Sequence, residues 1–77
     1  MMERYHINIL WSDEDGYWIA DVPDLRYCSA HGPTAADALR EVQVAMRVWL
    51  ESARAHGDPI PAPRSRPAIY AAGRPAA

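Results

Sequence analysis

The sequence predicts an α+β domain in which a three-stranded antiparallel sheet is covered by one long amphipathic helix. Three observations predict it. Two stretches with period-2 alternation flank a short polar loop ending in glycine. A later stretch carries apolar residues at i, i+3, i+4 and i+7 over about six turns. Start and stop signals frame that stretch on both sides.

The first strand is read over Tyr5 to Trp11, where aromatic or β-branched residues alternate with polar ones. Ser12 to Gly16 is the polar loop, and Gly16 supplies the positive φ that such loops often need. Tyr17 to Val22 is the return strand, which Pro23 ends by withholding a ladder donor. After a turn through Asp24 to Tyr27, Cys28 to His31 reads as a short third strand. Both faces of the first hairpin are partly apolar, and the pattern groups Tyr5, Ile7, Ile9, Trp11, Tyr17 and Ile19 against Leu10, Trp18, Ala20 and Val22.

Thr34 is placed to cap a helix, with Asp37 at the third helical position favourably close to the positive end of the dipole. From Ala35 the stripe Ala38, Leu39, Val42, Ala45, Met46, Trp49, Leu50 and Ala53 marks the buried face. His56 and Gly57 end it, with Pro59 beyond. Such a helix of about 22 residues spans roughly 33 Å, longer than the strands, so one end overhangs the sheet. Arg40, Arg47 and Arg54 form an exposed basic stripe, and Val44 and Val48 lie away from the core. The domain is read as residues 1–57, followed by a Pro-, Arg- and Ala-rich tail over 58–77 in which Ala68-Ile69-Tyr70 has the composition of a possible short fourth strand.

A chain of 77 residues makes one domain, which buries only about 60% of the surface its unfolded chain exposes. With a single cysteine, Cys28, it contains no internal disulfide. Tight helix-on-sheet packing and oligomerisation are the remaining sources of stability. The N-terminus reads as neither a secretory signal nor a membrane span, which gives a soluble cytoplasmic protein as the expectation.

The net charge of -2 is unevenly spread: residues 1–57 carry nine acids against five arginines, while 58–77 carry one acid against three arginines. An acidic body favours a basic protein partner over a phosphate backbone. Trp11, Tyr17 and Trp18 could stack bases, but no lysine or arginine lies between Tyr5 and Leu25 to grip a phosphate. No zinc-like spacing joins His6, Cys28 and His31. The run Asp13-Glu14-Asp15-Gly16 departs from a calcium-loop pattern, and no nucleophile elbow or phosphate cradle is present. No catalytic residue, metal or cofactor is therefore expected.

The ordered set Gly16-Tyr17-Trp18-Ile19-Ala20-Asp21-Val22-Pro23-Asp24-Leu25, Cys28, and Gly32-Pro33-Thr34-Ala35-Ala36-Asp37-Ala38-Leu39 resembles the HicB-type antitoxin family. The resemblance covers roughly residues 5–63 and includes Gly57-Asp58-Pro59-Ile60-Pro61. It implies a β-β-β-α core likened to a partial ribonuclease H fold. It also implies oligomerisation and a cytoplasmic role neutralising a small basic mRNA-cleaving toxin of the HicA type. The chain departs from the pattern at Arg26-Tyr27, where many relatives have Pro-Gly, and at Asp37, where glutamate is usual. Longer family members carry a C-terminal DNA-binding module, which 20 proline-rich residues cannot form, so DNA binding is not expected.

For a toxin, the expected contacts are the acids Asp13, Glu14, Asp15, Asp21 and Asp24 with the aromatic anchors Trp11 and Tyr17. For self-association they are Ile7, Ile9, Ile19, Val44 and Val48. A stand-alone homo-oligomeric module without a toxin is the alternative function, and a small RNA-binding domain is a weaker one.

Overall fold

The structure is a computed structural model and describes residues 4–64. Three strands, β1 (Asn8–Ser12), β2 (Tyr17–Asp21) and β3 (Ser29–Gly32), precede one helix, α1 (Ala35–His56). The strands form one antiparallel sheet in the order β1-β2-β3, so β2 is central. This is the α+β fold that the sequence predicts, with the proposed Ala68-Ile69-Tyr70 strand lying outside the described residues.

The first hairpin differs from its sequence reading in one consequential way. Ser12 belongs to β1 and pairs with Tyr17, and Trp11 pairs with Trp18. The turn is therefore the four residues Asp13 to Gly16, closed by the Gly16 N–H on the Ser12 carbonyl at 2.8 Å. Shortening the loop by one residue shifts the register by one, which exchanges the faces of every side chain on one strand relative to the other. Trp11 and Ile9 thus share a face with Trp18, Ala20 and Val22, while Leu10 shares the opposite face with Tyr17, Ile19 and Asp21. The grouping of Tyr17 and Ile19 with Trp11 is corrected accordingly.

The helix covers the face that carries Ala20. It packs most extensively on β3, less on β2 and least on β1. Tyr5, Ala20, Val22, Leu25 and Cys28 meet Ala38, Val42, Met46 and Leu50 to form the core, with Ile7, Trp18, Ala30, Leu39, Ala45 and Trp49 at its margin. Gly32 is where helix and sheet approach most closely: a Cβ there would lie 2.7 Å from the Asp37 Cβ and 2.9 Å from the Ala38 nitrogen. Only glycine fits that contact without displacing the first turn of α1.

Both helix ends are formed by the residues that signal them. The Thr34 hydroxyl oxygen accepts from the Asp37 N–H at 3.1 Å and donates to Asp37 Oδ2 at 2.7 Å. Arg40 pairs with the same carboxylate at 3.0 Å. At the other end Gly57 is left-handed, and the Asp58 N–H reaches back to the Ala53 carbonyl at 2.8 Å, closing a Schellman motif. Replacing Thr34 by alanine removes the acceptor for one otherwise unbonded N–H. An expected loss of about 1 kcal/mol is measurable as a lower midpoint in urea with an unchanged slope.

The helix overhangs the sheet at its C-terminal end. There it covers the compact turn between β2 and β3, and the Trp49 indole N–H donates to the Arg26 carbonyl at 3.0 Å. That turn is held by bonds from Leu25 N–H to Val22 O and from Cys28 N–H to Leu25 O, each 3.0 Å. Tyr27 within it has φ 62° and an 88% exposed side chain. A bulky residue here pays for a conformation that glycine adopts freely. Cys28 is buried, which pushes its thiol above the usual range, and it acts as a small core residue.

Candidate functional site

The acidic hairpin tip and the apolar edge beside it form the most coherent candidate site. Asp13, Glu14 and Asp15 are all exposed. Asp15 is fixed by reciprocal bonds: its N–H donates to Ser12 Oγ at 3.2 Å, and that hydroxyl donates to Asp15 Oδ2 at 3.0 Å. The Trp11 indole N–H donates to Asp13 Oδ1 at 2.8 Å. Trp11 also packs edge-on against Trp18, with ring centroids 5.7 Å apart. The indole is thus positioned from two sides yet remains 46% exposed. Ile9 continues the exposed apolar surface of Trp11 along β1, the strand that the helix packs on least, while Leu10 is exposed on the opposite, uncovered face.

Other expected contact residues lie elsewhere. Tyr17 is on the sheet face opposite Trp11 and stacks on His31 at 4.5 Å between centroids. Asp21 is on that same face, in register with Asn8 and Ser29, and its Oδ1 is buried without a hydrogen-bond partner among the described residues. Asp24 is removed from the partner-binding set. Its side chain is only 2% exposed and is ion-paired to Arg64, with the Arg64 N–H also donating to Asp24 Oδ2 at 2.9 Å. The segment after the helix therefore returns to the body rather than leaving it at residue 58, and the Tyr5 hydroxyl donates to the Pro61 carbonyl on the way.

Burial opposes the charge on Asp24, but the two hydrogen bonds from Arg64 and the positive charges of Arg64 and His6 outweigh it. They hold the carboxyl below its ordinary value of 3.8. A depressed folded-state pKa contributes stability above the unfolded value, and that contribution disappears as pH falls through the folded one. The stability difference between the native protein and Asp24→Asn is accordingly expected to be constant from neutral pH down to about 5 and to vanish in stronger acid. Urea unfolding at a series of pH values measures it, and a difference that grew on acidification would contradict the clasp.

The five residues expected in self-association do not form one patch. Ile7 is partly buried at the margin of the chain's own core. Ile9 and Ile19 lie on opposite sheet faces, and Val44 and Val48 are exposed on α1. Among the described residues no group of His, Cys, Asp or Glu could hold a metal ion, and no helix is long and apolar enough to cross a membrane.

These features define a small α+β domain with a thin core, an exposed aliphatic and aromatic edge, and a carboxylate rim. The chain belongs to the UPF0150 family. It is 40% identical over 53 residues to a UPF0150 protein of Thermoplasma acidophilum, a match covering 69% of this chain and 77% of that relative. It is 30% identical over 53 residues to a UPF0150 protein of Synechocystis, covering 69% of this chain and 73% of that one. No protein-family model and no solved structure matches the chain.

Proposed function

We infer that this domain is non-catalytic and acts by binding a small basic protein, namely an mRNA-cleaving toxin of the HicA type. The observation that carries the reading is the exposed pair Ile9 and Trp11, on one face of β1, followed along the chain by the carboxylates Asp13, Glu14 and Asp15 of the hairpin tip. A pre-positioned aromatic anchor beside a charged rim is the usual anatomy of a protein-binding hot spot. A protein that cleaves RNA must present cationic groups to phosphate, and carboxylates compete for those same groups. The HicB-type motif order in the sequence supports the identity of the partner, and the acidic body supports its charge.

The test is co-purification with a HicA-type toxin from the native host, followed by an RNA-cleavage assay with and without this protein. Stoichiometric complex formation and suppressed cleavage are expected. A toxin that neither binds nor loses activity sinks the reading.

A further inference from the structure

The sheet face turned away from α1 carries a second, separate feature. Ile19 lies at its centre, in register with Leu10 on β1 and His31 on β3. Two residues before Ile19, Tyr17 stacks on His31, with ring centroids 4.5 Å apart and planes 27° apart. Two residues after it stands Asp21. Side chains two apart on a strand point the same way, so the ring stack and the carboxylate are neighbours on one face. Exposed Leu10 and half-buried Ile19 make an apolar floor that runs from there to the edge strand β1.

Asp21 is the only carboxylate in the three strands, and none of them contains a lysine or arginine. Its Oδ1 is buried and has no hydrogen-bond partner among the described residues. Aspartate is disfavoured in strands, and a buried oxygen left without a donor is costly. The core lies on the other sheet face, so packing does not call for a charge here. Three residues along the chain, the carboxylate of Asp24 is likewise withdrawn from solvent, and an arginine meets it: Arg64 satisfies both of its oxygens. Asp21 presents a comparable acceptor with no donor supplied by the described chain.

We propose that the open sheet face is an arginine-binding subsite, in which a guanidinium of a basic protein partner donates to Asp21 and lays its plane against the Tyr17-His31 stack. The proposal rests on the function given above and names the side chain that the partner brings. Arginine is selected over lysine because its planar fork reaches both oxygens of one carboxylate and its face packs on aromatic rings, whereas an ammonium is a hydrated point charge. Nucleic acid is disfavoured, since a carboxylate on a face without cations repels phosphate. A partner seated on Ile9 and Trp11 reaches this subsite around β1, because Leu10 carries the apolar surface over that edge strand.

The first test needs no toxin: the isotopically labelled full chain is titrated with an acetylated, amidated Gly-Arg-Gly tripeptide and, separately, with its Gly-Lys-Gly counterpart, and amide shifts are followed by NMR. Saturable shifts at Ile19, Asp21 and Ser29 are expected with the arginine peptide, weaker ones with the lysine peptide and none in Asp21→Asn. In isolation D21N should unfold at a urea midpoint equal to or above that of the native chain, because it removes an unpaired buried charge. Against a HicA-type toxin it should raise Kd at least about tenfold. An arginine peptide that leaves those amides unmoved overturns the proposal, as does an equal response to lysine. A lowered urea midpoint in D21N also overturns it, since Asp21 would then serve the fold. If the native chain and D21N bind toxin equally well, the subsite falls and the proposed function stands. If the native chain binds no toxin, the proposed function falls and the tripeptide titration alone decides the subsite.

Discussion

Truncating Leu25 to alanine is expected to remove about 2–5 kcal/mol of stability, enough to leave much of the population unfolded at room temperature. Leu25 does not belong to a strand or to the helix, yet it is among the most buried large side chains of the molecule, with Val22 and Val42. Its N–H and C=O both close the β2-β3 turn, so backbone and side chain are fixed together. The side chain belongs to the core cluster that also contains Val42, Met46 and Leu50 of α1. Few neighbours can collapse into the resulting cavity, because the turn is braced by Trp49 on one side and by the Asp24 clasp on the other. A domain of this size has about 5 kcal/mol to lose. Equilibrium urea unfolding followed by tryptophan fluorescence measures the change. A loss below about 1 kcal/mol would show that the turn is not a structural centre.

Reversing the charge of Asp13, Glu14 and Asp15 to lysine is expected to slow association with a basic toxin by about 10- to 1,000-fold at low salt and to flatten its salt dependence. The three carboxylates are the only acids on the hairpin tip, and all project into solvent. Steering acts on encounter, so the association rate should change more than the dissociation rate. Folding should change little: exposed loop charges contribute about 0–1 kcal/mol each, and the bond from Ser12 to Asp15 is itself exposed. Stopped-flow or surface-based kinetics at two ionic strengths reads the effect. An unchanged rate and salt slope would move the contact away from the hairpin tip. Trp11→Ala in the same assay should act on dissociation instead, since the indole is a short-range anchor.

What the sequence determined by itself is local. Helix α1 runs from Ala35 to His56, as its stripe and caps indicate, because a Thr34 hydroxyl and a Gly57 backbone act within one turn of their own positions. The existence of the three strands, the hairpin at Gly16, the buried role of Cys28 and the acidic tip were legible for the same reason. The strand ends were not: β1 starts at Asn8 rather than Tyr5, since Tyr5 leaves the ladder to reach Pro61. Tertiary structure alone decided the rest. One residue more or less in the turn could not be read from its polar composition, and it decided that Trp11 faces Trp18 while Tyr17 faces away. The partner of Asp24 lies 40 residues along the chain, and nothing near Asp24 in sequence distinguishes it from the exposed acids of the tip. The placement of α1 over β3 and β2 followed from Gly32, whose missing side chain admits the helix there and leaves β1 exposed. Local propensity sets what each segment becomes, whereas register, ion pairing and helix placement are choices among contacts that exist only once the chain has folded.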